Sequence, residues 1–209
     1  MAIHESQSRF YENIIGRSRA FCGIIYPWLR EHFAPRLDDV SPEDFYRMIN
    51  KAQPSLIRTE ADELTYCLHI MVRYELERRM FAGELTAHDL PAQWNRLYKA
   101  YLGVDVPNDR EGILQDSHWA NGNIGYFPSY AIGSAYGAQY LRQMQKDFDV
   151  SAAVATGRLT QINCWLEEKI WKYGCMKDPT PLFESVCGPF DPTCYTAYLR
   201  DKFTEVYGL

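Results

Sequence analysis

Apolar residues along this chain recur mostly at intervals of three and four. Ala61, Leu64, Leu68, Met71, Val72 and Leu76 form one such series, which predicts an amphipathic helix ending near Gly83. Ile162, Trp165, Leu166 and Ile170 form a second, and Tyr195, Tyr198, Leu199 and Phe203 a third near the C-terminus. Alternation with a period of two is scarce, and Ser55-Leu56-Ile57-Arg58 is the best candidate for a short strand. The polar punctuation agrees with helices. Ser41-Pro42-Glu43-Asp44 places a capping serine, a proline at the first helical position and an acid at the third. Thr59-Glu60-Ala61-Asp62 and Thr86-Ala87-His88-Asp89 repeat the capping-box spacing, and Asp178-Pro179 and Asp191-Pro192 are further starts. The expectation is a mainly α fold with at most a minimal β element near residues 54–58, organised as one helical domain over residues 1–209.

Two stretches break the helical rhythm. One is the N-terminal His4-Glu5-Ser6-Gln7-Ser8. The other runs from Gly112 to Tyr130 and mixes glycines, aromatics and hydrogen-bonding groups without a period. Glycine lets a ligand approach the backbone closely, and loops of this composition commonly carry function. From Ser117 to Leu141 the chain has no Asp, Glu, Lys or Arg, long enough to span a bilayer. Asn121, Asn123, Pro128 and four glycines within it exclude a transmembrane helix.

Composition narrows the class. The 209 residues are 46% hydrophobic and include 30 aromatics, ample surface for a packed core. A formal net charge of -5 shows no basic footprint for nucleic acid. The first residues lack the basic and apolar regions of a secretory signal. The six cysteines are widely spaced without a C-x-x-C, so they predict neither a zinc ribbon nor a redox pair but reduced thiols in a cytoplasmic protein.

Candidate chemistry is uneven on the residues alone. His4-Glu5 contains metal-ligand types, yet an acid at a helix start more often answers the macrodipole. Arg58 reads equally as an ion-paired surface arginine or as a planar fork for a carboxylate. Asp62 is better explained as the third-position partner of Thr59 than as a catalytic acid. His118 either donates to a backbone carbonyl or faces a site as a switchable donor. Tyr126 and Tyr130 are either core aromatics with partnered hydroxyls or part of the same site. His32, His69 and His88 invite no special reading.

Taken together, HESQSRFYENIIGRSRAF, LIRTEAD and GILQDSHWANGNIGYFPSY resemble motifs of the carboxypeptidase Taq family of zinc metallocarboxypeptidases, in the family's order and across essentially the whole chain. The resemblance implies a multi-helix, zincin-like fold and a homodimeric cytoplasmic exopeptidase. It would remove C-terminal residues from peptides with a free C-terminus by means of a zinc or cobalt ion. In that family an H-E-x-x-H helix and a downstream glutamate hold the metal, and the acid of the motif acts on the metal-bound water. By resemblance Glu5 is the downstream metal ligand, with His4 beside it. Arg58 then becomes a candidate for the substrate carboxylate, with Gln115 and Asp116 ordering the loop or the peptide backbone. His118, Tyr126 and Tyr130 become candidates for stabilising the oxyanion.

One departure stands out: these residues contain no H-E-x-x-H. Two histidine ligands and the general base of the family pattern are therefore missing. The expectation is the C-terminal part of a metallocarboxypeptidase that binds zinc weakly and is inactive alone. A non-catalytic peptide-binding module and one half of a split enzyme are the alternatives. Helices that pack on a missing N-terminal segment would leave apolar surface uncovered, which predicts a dimer or higher oligomer. No membrane or nucleic-acid partner is expected.

Overall fold

Ten α-helices form where the sequence supplies caps and helical spacing, and the computed structural model describes all of residues 1–209 without a strand. In chain order these are α1 (Ala2–Arg9), α2 (Arg19–His32), α3 (Pro42–Ile49), α4 (Tyr66–Phe81), α5 (Leu90–Leu102), α6 (Pro128–Met144), α7 (Val150–Ala155), α8 (Leu159–Lys169), α9 (Pro179–Cys187) and α10 (Thr193–Tyr207). The Ser41 capping box is present in full: Asp44 N donates to Ser41 Oγ at 3.0 Å and Ser41 N to Asp44 Oδ2 at 3.4 Å. Asp178 and Asp191 also stand at helix starts, as expected.

Two capping expectations need correction. Thr59 does not open a helix, because Arg58–Glu60 is only a 3₁₀ turn. Asp62 instead accepts Thr65 N at 3.0 Å and Thr65 Oγ1 at 2.8 Å, and α4 begins at Tyr66. Likewise Thr86 donates through N and Oγ1 to Asp89, and α5 begins just after that acid. Residues 55–58, the best candidate for a short strand, form none, within the bound of at most a minimal β element. Their backbone groups are taken by side chains: Leu56 O accepts from Gln115 Nε2 and Tyr98 Oη, and Arg58 N donates to Gln115 Oε1 at 2.9 Å. With those groups satisfied, no β-ladder is required.

The chain divides into two compact units, one of Met1–Asn50 with Ile132–Leu209 and one of Lys51–Ala131. The first is built around Phe10, Ile14, Tyr136, Tyr140, Trp165 and Phe183, with Tyr136 stacked on Phe183 at 3.8 Å between ring centroids. After α1 the backbone widens into a π-helical stretch over Phe10–Ile15, ended by Gly16 N donating to Tyr11 O. Gly133 of α6 lies directly against α1. A Cβ there would sit 2.5 Å from Glu5 Cβ and 2.9 Å from Glu5 C, so only glycine admits this approach. An open cleft of about 880 Å³ in this unit is walled by Ile14, Ala138, Leu141, Val154 and Tyr198, and none of the candidate site residues lines it. All six cysteines are free thiols: Cys22 and Cys194 are buried, Cys67 and Cys187 half-buried, Cys164 and Cys175 exposed.

The second unit pairs α4 with α5 around Val72, Leu76, Trp94, Leu97, Tyr98 and Leu102. Its residues 103–127 contain no helix and form the glycine-aromatic loop. The buried side of α4 is not the apolar stripe expected. Leu64 and Met71 are exposed, while His69, Arg73 and Glu77 are buried at helical spacing. No helix of the structure is long and apolar enough to cross a membrane.

Candidate functional site

The second unit gathers six of the sequence candidates, and two arginines sharing one carboxylate organise them. Arg58 Nε and Nη2 donate to Asp116 Oδ1 at 3.0 and 2.6 Å, while Arg73 Nε donates to Asp116 Oδ2 at 2.7 Å. The side chains of Arg58, Asp116 and Arg73 are 8%, 9% and 0% exposed, so the cluster is buried and carries one net positive charge. Burial alone pushes the Asp116 carboxyl up, but the two guanidiniums outweigh it and hold the acid below the usual carboxylate range. Arg58 Nη1 also donates to Tyr66 Oη at 2.9 Å, and its guanidinium stands 5.0 Å from the centroid of the Tyr130 ring. Three of its N–H groups are therefore engaged within the protein.

Arg73 spends its remaining donors on His69 O, Tyr98 Oη and Gln115 Oε1. Gln115 thus accepts from both Arg58 N and Arg73 and donates to Leu56 O and Glu111 O. This is an ordering role for the loop, carried by one side chain in four bonds. Tyr98 Oη lies 3.2 Å from Leu56 O and 3.1 Å from His69 Nδ1. Burial first and then the Arg73 charge push the His69 pKa down to about 4.

Beside the cluster His118 meets two tyrosines. Its Nε2 is 3.0 Å from Tyr130 Oη, and its ring lies 5.7 Å from that of Tyr126 and 4.3 Å from that of Phe127. His118 Nδ1 has no hydrogen-bond partner, with Asp116 Oδ1 3.9 Å away. Burial is the main cause of a lowered His118 pKa, with Asp116 opposing it and Arg58 and Arg73 adding to it. The imidazole is accordingly neutral at pH 7, with Nε2 on Tyr130 Oη and Nδ1 buried.

Residues that the sequence reading passed over complete this arrangement. Tyr66, Arg73 and Glu77 of α4 reach Arg58, Asp116 and the glycine-aromatic loop respectively. Charged residues four apart on a helix flanked by apolar neighbours were the available signal.

Glu5 belongs to the other unit. It is half-buried on α1, where its Oε2 accepts from Ser8 Oγ at 3.1 Å, and the neighbouring His4 is exposed. No group of three or more His, Cys, Asp or Glu in the structure could hold a metal ion. A catalytic zinc needs three protein ligands, so this donor set does not fit the complete ion site. Glu5 remains a single candidate ligand.

The helical fold has counterparts among known proteins. The sequence model described as Carboxypeptidase Taq (M32) metallopeptidase matches residues 1–203, and the chain belongs to this family. It is 44% identical over 209 residues to the "Carboxypeptidase 1" of Bacillus subtilis (strain 168), covering 99% of this chain and 42% of that protein. A "Thermostable carboxypeptidase 1" from Pyrococcus furiosus is 43% identical, over 97% of this chain and 41% of its own length. The crystal structure of an M32 carboxypeptidase from Deinococcus radiodurans R1 superposes with a TM-score of 0.95 at 41% identity, over 100% of this chain and 42% of that one. The chain thus spans about 42% of the length of the relatives it matches.

Proposed function

We propose that this chain supplies the substrate-recognition and oxyanion-stabilising portion of a metallocarboxypeptidase that removes C-terminal residues from peptides. The observation that carries the reading is the His118–Tyr130–Tyr126 donor group set beside the buried, net-positive Arg58–Asp116–Arg73 cluster. Peptide hydrolysis builds negative charge on the scissile carbonyl oxygen, and positioned neutral donors stabilise it. The phenol of Tyr126 and the His118 imidazole are such donors. The excess positive charge of the cluster favours a free peptide carboxylate, with Arg58 as its nearest candidate partner. Gln115 and Asp116 hold that arginine and the loop in register.

In this reading Glu5 is one ligand of a divalent zinc or cobalt ion, which would supply Lewis acidity to water when bound. The other ligands are not among these 209 residues, so no hydrolytic step is assigned to the chain alone. A separate segment carrying H-E-x-x-H is the partner this reading requires. The open cleft of the first unit and exposed Trp28 and Phe33 support further association, including a homodimer.

The test has two parts. The purified chain is incubated with zinc or cobalt and a blocked dipeptide; robust release of the C-terminal residue would overturn the assignment of incomplete catalysis. Calorimetric titration with short peptides then compares free and amidated C-termini. Equal affinity for both would remove the carboxylate-recognition role, whereas binding of the free form alone, without hydrolysis, is the expected result.

A further inference from the structure

Glu77 is a buried carboxylate, 5% exposed, that accepts from two uncharged N–H groups of the glycine-aromatic loop. Its Oε1 accepts from Trp119 Nε1 at 3.1 Å and from Gly125 N at 2.8 Å. Burying a carboxylate without a cationic partner costs several kcal/mol unless strong donors meet it. Here one oxygen converges two donors from either end of a turn. Residue 118 immediately precedes the first contact and residue 126 immediately follows the second. Gly125 has φ +72°, a conformation that a side-chain-bearing residue adopts at a cost.

We propose that Glu77 is the positioning residue of the donor group: by tying Trp119 and Gly125 to one oxygen it sets where His118 and Tyr126 stand. This rests on the reading of His118 and Tyr126 as the peptide-facing donors. Helix α4 already holds Asp116 through Arg73, one turn before Glu77. A rigid element therefore fixes both the cationic cluster and the donors, and their mutual placement is set by helical rise rather than by the loop.

The test uses the full chain, isotopically labelled, and reads the Gly125 amide, the Trp119 indole N–H, the His118 imidazole and the Arg58 and Arg73 Nε–H signals by NMR. In Glu77→Ala, Gly125 amide exchange is expected to accelerate by roughly tenfold or more, the loss of one hydrogen bond to a charged acceptor. The His118 and Trp119 signals should shift while the two arginine signals stay in place. Glu77→Gln keeps an acceptor oxygen and should hold Gly125 exchange within about twofold of the parent. Trp119→Phe removes one contact only, and should move His118 while leaving Gly125 protected; it carries the test if Glu77→Ala does not fold. Unchanged Gly125 and His118 signals in Glu77→Ala, unchanged His118 in Trp119→Phe, or Glu77→Gln behaving like Glu77→Ala would each overturn the proposal. If the loop signals shift but calorimetric peptide affinity does not, the positioning role stands and the donor reading of His118 and Tyr126 fails.

Discussion

Replacing Asp116 by asparagine removes one charge without changing volume, and its effect follows from the double use of that carboxylate. In the native cluster Asp116 receives two bonds from Arg58 on Oδ1 and one from Arg73 on Oδ2. Asparagine keeps one acceptor oxygen and turns an NH₂ group toward the other guanidinium, so donors face donors. Removing one partner of a buried pair typically costs about 3–5 kcal/mol, because the remaining charge is stranded. Arg73 retains His69 O and Gln115 Oε1, and Arg58 retains Tyr66 Oη, which keeps the combined loss near that range. Against a total stability of about 5–15 kcal/mol this is a large fraction. At about 2–4 °C per kcal/mol for a chain of this size, the melting temperature should fall by roughly 6–20 °C. Urea unfolding followed by circular dichroism gives the free energy, and calorimetry the temperature. The triple variant Arg58→Met, Asp116→Leu, Arg73→Met should recover most of the loss, since apolar residues of similar volume often replace buried ion clusters without penalty. A cost below about 1 kcal/mol for Asp116→Asn, or a triple variant less stable than the single one, would refute the reasoning.

Three other outcomes are expected. His69 titrates near 6.5 when unfolded and near 4 when folded, so the unfolded state binds more protons between those values. Stability is then full above pH 6.5 and falls as pH drops toward 4, by roughly 3 kcal/mol over the window; urea titrations of His69→Gln should show a flatter profile, and an equal slope would count against the assignment. Gly133→Ala places a methyl against the Glu5 backbone and should destabilise by about 1–3 kcal/mol or more, whereas Gly137→Ala meets the end of the Ile14 side chain at 3.3 Å and Ser6 O and Phe10 Cβ at 3.5 and 3.8 Å, and should cost much less; equal melting temperatures would contradict this. Arg58→Ala should weaken binding of peptides with a free C-terminus more than of amidated ones, and a uniform loss in calorimetry would assign Arg58 to the scaffold alone.

Helical character, and three of the five helix starts expected from caps, were legible because caps and period dominate local structure there. Ser41, Asp178 and Asp191 stand where the sequence placed them. Thr59-x-x-Asp62 misled because the same spacing serves a turn as well as a helix cap. The Leu56 segment misled because its backbone partners are side chains 42 and 59 residues away, which no local pattern encodes. Six candidate residues meet in one unit, but only their family motifs drew them together beforehand. Arg73 and Glu77 escaped notice for a physical reason. A helix whose buried side mixes charges with Val72 and Leu76 has no clean apolar stripe, so periodicity alone does not single out its buried polar residues.

The unequal exposure of the six thiols makes the chain its own stopwatch for local opening. Cys164 and Cys175 are accessible to an alkylating reagent at once, whereas Cys22 and Cys194 react only when the first unit opens around them. Cys67, half-buried at the start of α4, keeps separate time for the second unit. Mass-resolved labelling of the unmodified protein therefore ranks the two units by the ease with which each breathes, with no probe introduced.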